Sequence, residues 1–153
     1  MRRLTSIREV TWAVVASLDP TRTVMLLDID NTLLAPTALE MDAPTQAHVL
    51  DLAKQGTILL CTNNLTDRQR NVAKALNLPI LTQAMKPFTF RVIPFLKQHR
   101  ITVDQVIVVG DQWVTDGWLA HAMHCPLIWL DPMAKDRNVM TRLLRRLEKR
   151  WKP

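Results

Sequence analysis

The stretch Val24-Met25-Leu26-Leu27-Asp28-Ile29-Asp30-Asn31-Thr32 decides the fold. Four apolar, β-compatible residues run straight into a carboxylate, and a second carboxylate follows two positions later. A strand apolar along its whole length is covered on both faces, which is the habit of parallel sheets. A charged residue at its exit stands where such sheets bind their ligands.

Outward from this stretch the same unit recurs. Pro44 to Gln55 carries Val49, Leu52 and Ala53 at helical spacing, and Gly56 supplies a stop. Thr57-Ile58-Leu59-Leu60-Cys61 reads as the next strand, ending at Thr62. Thr66 and Gln69 make a capping-box pattern ahead of a helix that carries Val72, Ala75 and Leu76 on one face. Pro79 to Leu81 is a short strand. Phe88, Val92, Phe95 and Leu96 mark another helix, in which Pro94 removes a backbone donor and predicts a bend. Val106-Ile107-Val108-Val109 is the most strand-like run, ending at Gly110-Asp111, and Leu127 to Leu130 is the last strand. Strand–helix alternation with unbroken apolar strands predicts one doubly wound α/β domain over residues 1–153, a parallel sheet with helices on both faces.

Composition agrees. The chain has 153 residues, 48% of them apolar and 22% charged, enough to bury a core and unlike a disordered, collagenous or disulfide-stapled chain. Cys61 and Cys125 sit in or beside apolar runs and read as thiols of a reducing compartment. The apolar run Val10–Leu18 has nine residues, where a membrane-spanning helix needs about 20. With Arg8 and Glu9 before it, segment 1–20 reads as a short amphipathic element packed on the domain rather than a secretory signal. Residues 1–136 carry 13 Lys+Arg and 13 Asp+Glu, so the net charge of +6 belongs to residues 137–153, with seven basic residues and one acid, Glu148. A basic tail suggests an anionic neighbour.

The unusual polar groups stand at strand exits: Asp28 and Asp30 after the first strand, Thr62-Asn63-Asn64 after the second, Lys86 after the third, and Gly110-Asp111 with Asp116 after the fourth. Asp28 and Asp111 together make a hard oxygen site suited to Mg²⁺, a cation held through one or two carboxylates. Lys86 adds a fixed positive charge. Thr62 and the amides after it, beginning at Asn63, can donate to phosphate oxygens, helped by the helix N-terminus at Thr66. Asp28 can attack phosphorus to give an aspartyl-phosphate. Asp30 can protonate the leaving oxygen and then deprotonate the hydrolytic water. Taken singly, each residue has a duller role as a strand-end cap or a turn. Four such accidents at successive exits are not the economical reading. The four histidines, His48, His99, His121 and His124, share no metal-ligand spacing with cysteine and read as structural.

The segments Asp28-Ile29-Asp30-Asn31-Thr32, Thr62-Asn63-Asn64, Lys86-Pro87 and Gly110-Asp111 with Thr115-Asp116 resemble, in order, the four motifs of the haloacid-dehalogenase (HAD)-like phosphatases, over roughly residues 23 to 130. The run from Gly110 to Asp116 is similar to the small capless branch that includes phosphatidylglycerophosphate phosphatases. The resemblance implies a Rossmann-like fold, Asp28 as nucleophile, Asp30 as acid/base, and Thr62 and Lys86 as phosphate ligands. It also implies Mg²⁺ held by Asp28, the Asp30 carbonyl and Asp111, with Asp116 in support. Relatives often place glycine in the turn before the last strand, where this chain has Met123-His124-Cys125.

Only 29 residues separate Thr32 from Thr62, and Asn63 to Ala84 is 22, so neither gap holds a cap domain. An uncapped site suits a phosphate on a large carrier: a lipid at a bilayer, a protein or a nucleic-acid end. A basic helix over 136–152 carries Met140, Leu144, Leu147 and Trp151 on one face, with five Lys or Arg covering much of the remainder. It can pack on the sheet, touch anionic lipid, or both. The expectation is a Mg²⁺-dependent phosphomonoesterase at the cytoplasmic membrane face, acting on a lipid phosphate such as phosphatidylglycerophosphate. The alternatives are the same chemistry on nucleic-acid ends or phosphoproteins, and a non-catalytic basic adaptor on the same scaffold.

Overall fold

The run Val24–Leu27 is buried at every position and forms strand β2 near the middle of a sheet. In the computed structural model, which describes residues 1–134, the other strands are β1 (Arg2–Leu4), β3 (Thr57–Cys61), β4 (Ile80–Leu81), β5 (Val106–Gly110) and β6 (Leu127–Leu130). All pair in parallel, in the order β1-β6-β5-β2-β3-β4. The helices are α1 (Trp12–Leu18), α2 (Ala43–Gln55), α3 (Asp67–Leu76), α4 (Val92–Gln98) and α5 (Trp118–Ala122).

Strand side chains alternate between faces, and this parity builds two cores. Met25, Leu27, Ile58, Leu60, Ile107 and Val109 face the layer of α1, α2 and α3, meeting Val15, Val49, Leu52, Val72 and Leu76. Val24, Leu26, Leu59, Cys61, Val106 and Val108 face α4 and α5, meeting Val92, Leu96, Leu119 and Ala120. Each fully buried Leu or Ile contributes about 1.5–3 kcal/mol relative to exposure. The doubly wound α/β fold with helices on both faces is as expected, and no second domain is present among the described residues.

Four local readings change. Segment 1–20 is more than an amphipathic helix: Arg2–Leu4 forms edge strand β1 on β6, with Leu4 paired to Leu130, and α1 follows after a 3-10 turn. The edge position tolerates two exposed arginines, which hid the strand in the sequence. Phe88 lies outside α4 and is exposed, so it marks the loop ahead of the helix. Pro94 is the third residue of α4, where the backbone N–H has no intrahelical partner to lose, so the reason to expect a bend is absent. On α3, Ala73 rather than Ala75 joins the buried stripe with Val72 and Leu76. Gly56 does end α2, but with extended backbone; a Cβ there would stand 2.2 Å from the Trp12 ring, so close packing is what demands glycine. The expected basic helix 136–152 lies outside the described residues.

Candidate active site

The chain runs from β2 outward to β3 and β4, then crosses to the opposite side of β2 to form β5 and β6. The strand order therefore reverses between β2 and β5, and a crevice opens there beyond their carboxyl ends. The Asp28 N–H donates to Val109 C=O at 2.9 Å, holding Asp28 beside the exit of β5. Beyond it the chain curls tightly: the Ile29 carbonyl accepts from Thr32, Leu33 and Leu34, and Asn31 takes φ 64°. Asn31 also clasps the end of the sheet, its side chain exchanging two hydrogen bonds with the Ala134 backbone at 2.9 and 3.0 Å.

Lys86 comes from the loop after β4 and reaches across β3 to the crevice. Its ammonium donates to Asp28 Oδ1 at 2.5 Å, Asp116 Oδ1 at 2.6 Å and Cys61 C=O at 3.1 Å, so all three protons are assigned. Asn63 fixes the lysine's own backbone: Lys86 N–H donates to Asn63 Oδ1 at 2.7 Å, and Asn63 Nδ2 donates to Lys86 C=O at 3.0 Å. Asn63, expected at the substrate, thus has its amide spent on positioning Lys86. The Lys86-Pro87 peptide is cis.

Carboxylate oxygens of Asp28, Asp111 and Asp116, all buried, lie within 4.8 Å of one another. Asp116 enters from a π-helical turn, Trp113–Gly117, and its Oδ2 accepts from the Gln112 N–H at 3.2 Å. Gly110 is required here, because a Cβ would lie 2.4 Å from Asp116 Cγ. Asp111 accepts from Thr32 Oγ1 at 3.3 Å, and its carbonyl accepts from Trp129 Nε1 at 2.9 Å.

Burial pushes the Asp28 carboxyl well above the usual carboxylate range; Lys86 opposes this, and the Asp116 and Asp111 charges add to it. Lys86 is held well above its ordinary value, because Asp116 and Asp28 outweigh its burial. Three buried carboxylates gather beside one ammonium, which pairs with Asp28 and Asp116. An all-oxygen donor set of three buried carboxylates fits a hard divalent cation. Cys61, whose carbonyl touches Lys86, has its thiol pushed up by burial to about 12 and is unreactive.

Asp30 is turned to the other wall. Its Oδ2 accepts from Thr62 Oγ1 at 2.8 Å and its Oδ1 from Gln69 Nε2 at 2.7 Å. The Thr62 hydroxyl, expected on phosphate, is bonded to Asp30, and it accepts from the Asn64 N–H at 3.1 Å. Gln69 is the site residue that sequence reasoning missed. Its spacing from Thr66 suggests half of a capping box, but the Thr66 hydroxyl bonds its Oε1 rather than capping the helix. A signal was available: Gln69 precedes Val72, Ala73 and Leu76 at the spacing of one buried helix face, and a polar residue there needs a buried partner. Arg68, beside it, points the other way and pins the loop after Asp30 through the Ala35 and Ala38 carbonyls at 2.9 and 2.8 Å.

His48 Nε2 meets the Val10 carbonyl at 2.9 Å and His99 packs edge-on against Phe95. His124 occupies the turn before β6 with φ 52°, the left-handed conformation that glycine adopts freely.

Among solved structures, a HAD family hydrolase from Streptomyces avermitilis matches with TM-score 0.58 and 16% identity over 82% of this chain and 78% of that one. An uncharacterized protein from Listeria monocytogenes matches with TM-score 0.55 and 17% identity over 83% and 99%. The 3-deoxy-D-manno-octulosonate 8-phosphate phosphatase from Moraxella catarrhalis, solved with magnesium, phosphate and KDO, matches with TM-score 0.50 and 14% identity over 60% and 59%. These likenesses speak to the fold. A search of curated proteins gives no match. The family model described as mitochondrial PGP phosphatase matches residues 2–133, and with the four strand exits gathered at one crevice the chain belongs to that family of HAD-type phosphatases.

Proposed function

We propose that the protein is a Mg²⁺-dependent phosphomonoesterase acting through an aspartyl-phosphate, with a lipid phosphate such as phosphatidylglycerophosphate as substrate. The observation that carries the reading is the Lys86 ammonium bonded at once to Asp28 and Asp116, inside a cluster of three buried carboxylates.

Asp28, Asp111 and Asp116 would hold the cation, with the Asp30 carbonyl as the further ligand implied by the resemblance. When bound, a divalent ion offsets the repulsion between a carboxylate nucleophile and a phosphate dianion. Magnesium suits a site of this kind, holding to few carboxylates and keeping open positions for water and phosphate. The neighbour from Moraxella catarrhalis carries it together with phosphate.

The remaining steps belong to side chains. Lys86 orients Asp28 through a 2.5 Å bond, and its charge acts on any phosphoryl oxygen brought to that carboxylate. Asp28 attacks phosphorus while the alcohol leaves. Thr62 exchanges its bond to Asp30 for one to a phosphoryl oxygen, which frees Asp30 Oδ2 for the leaving oxygen. Asp30 enters the step carrying, on Oδ2, the proton it took from water in the preceding turnover, gives it to the leaving oxygen, and takes another from the water that hydrolyses the acyl phosphate. Gln69 keeps the other Asp30 oxygen in place through both halves.

The lipid substrate is supported by the family match, by the short connections that leave the crevice without a cap, and by the basic residues of 137–153. The test is phosphate release from phosphatidylglycerophosphate in mixed micelles with Mg²⁺, set against phosphorylated oligonucleotides and phosphopeptides. Release from the lipid alone, lost on chelation and in Asp28→Asn, is the expected result. Turnover retained by Asp28→Asn removes Asp28 as nucleophile, and preference for an oligonucleotide or peptide overturns the substrate.

A further inference from the structure

We infer that the carboxyl edge of the sheet docks face-on to an anionic lipid surface through an apolar rim of Leu65, Met85, Phe88, Phe90 and Trp118. The inference rests on the phosphatase reading and names how that site meets its substrate.

Large exposed apolar side chains are concentrated at this edge. Among the described residues, all but Met1 lie in segments that leave the carboxyl ends of strands. Phe88 and Trp118 are each 60% exposed and Phe90 58%, values foreign to a surface selected only for water. Sequence position ties the five to the residues around Lys86. Met85 and Phe88 flank Lys86, Phe90 is four residues on, Trp118 is two beyond Asp116, and Leu65 is two beyond Asn63. Asp116 and Asn63 both bond Lys86. Each rim residue therefore lies within four positions in sequence of Lys86 or of a residue bonded to it. Phe88 and Phe90 stand with ring centroids 6.2 Å apart.

Charge selects the occupant. Exposed Arg91 adjoins Phe90. The segment with seven basic residues and one acid begins three positions after Ala134, which is bonded to Asn31 at this same edge. The described structure thus ends at this edge, and the sequence that continues from it is basic, which favours an anionic partner over a neutral one. Aromatic and aliphatic side chains set singly among polar ones (Phe88-Thr89-Phe90-Arg91) suit insertion at headgroup depth, and basic residues nearby add attraction to the lipid charge. A phosphate carried by a bilayer then reaches the crevice without leaving its leaflet.

The experiment is co-sedimentation of the full chain with vesicles of equal parts phosphatidylcholine and phosphatidylglycerol, comparing wild type with Phe88→Ser/Phe90→Ser. Each protein is also assayed for the ratio of vesicle-borne to soluble phosphate ester turned over. Vesicle binding and that ratio should both fall about tenfold or more in the variant. Tryptophan quenching by lipid brominated on its acyl chains supplies a reading that needs no rim-weakening change, and the quenching should largely vanish in Trp118→Phe. Wild type that ignores vesicles, or a double variant that binds as well as wild type, overturns the inference. So does wild type that dimerises through the rim, as shown by the variant running as a monomer, or that uses the rim to grip a peptide. If no phosphate is released from any ester while binding still tracks the rim, the phosphatase reading fails and the docking surface stands.

Discussion

Gln69 Nε2 lies 2.7 Å from Asp30 Oδ1, and the orientation of that amide is set from behind by Thr66. The Thr66 hydroxyl donates to Gln69 Oε1, so the NH₂ end must face the carboxylate. A buried amide bonded at both ends holds its rotamer, and Asp30 inherits that order. Gln69→Leu keeps the volume and removes both bonds. It should lower kcat on an alkyl phosphate by about tenfold with little change in KM, as loss of a group that positions an acid/base does. The loss should shrink on a nitrophenyl phosphate, whose leaving group needs no proton. Equal losses on both esters would assign Gln69 a purely structural part.

Removing Lys86 strands two buried acids. Lys86→Met leaves Asp28 and Asp116 without the ammonium that touches both, and breaking a buried pair from one side costs about 3–5 kcal/mol. Chemical denaturation should report that loss in the metal-free protein, together with loss of phosphate release. Adding Asp116→Asn to Lys86→Met should recover part of the stability and none of the activity. The same contacts set an alkaline limit. Because Lys86 is held above its ordinary value in the fold, its contribution is complete below the unfolded lysine range, about 10.4, and fades as pH rises through the higher folded value. A denaturation series at rising alkaline pH should lose stability in wild type and less in the double variant.

The fold was largely legible because the strands are apolar on both faces, so Val24–Leu27, Thr57–Cys61, Val106–Val109 and Leu127–Leu130 stand out as runs. β1 was not legible: three residues at a sheet edge, two of them exposed arginines, carry no pattern. The acids and Lys86 were legible because parallel topology sends strand exits to one edge. How Asn63, Thr62 and Gln69 pair was not, since the strand order decides which loop a polar side chain meets. Asn63 bonds Lys86 only because the chain after β4 doubles back across β3.

Metal binding should be visible as stability as well as activity. Carboxylate oxygens of three acids lie within 4.8 Å of one another, and Asp28 is raised by burial and by the charges of Asp116 and Asp111. A cation that binds the folded state alone adds about 2.7 kcal/mol at a hundredfold excess over its dissociation constant. Thermal unfolding of wild type should shift upward with MgCl₂, and the shift should disappear in Asp111→Asn. A similar shift in both proteins would move the cation elsewhere.

His124 offers a test away from the chemistry. Its φ of 52° places an exposed, β-carbon-bearing residue in the left-handed region at the turn into β6. Holding a residue other than glycine there costs on the order of 1 kcal/mol. In the family this chain resembles, the same turn often holds glycine. His124→Gly relieves the conformation and also gives the unfolded chain more freedom, so the two effects partly cancel. The net expectation is a gain of about 0.5 kcal/mol, read as a thermal midpoint about 1–3 °C higher with phosphate release unchanged. His124→Ala is the control: it removes the same ring while keeping the β-carbon, and it should show no gain. Should alanine stabilise as much as glycine, the imidazole and its neighbour His121, 6.4 Å away between ring centroids, were the source of the strain instead of the backbone.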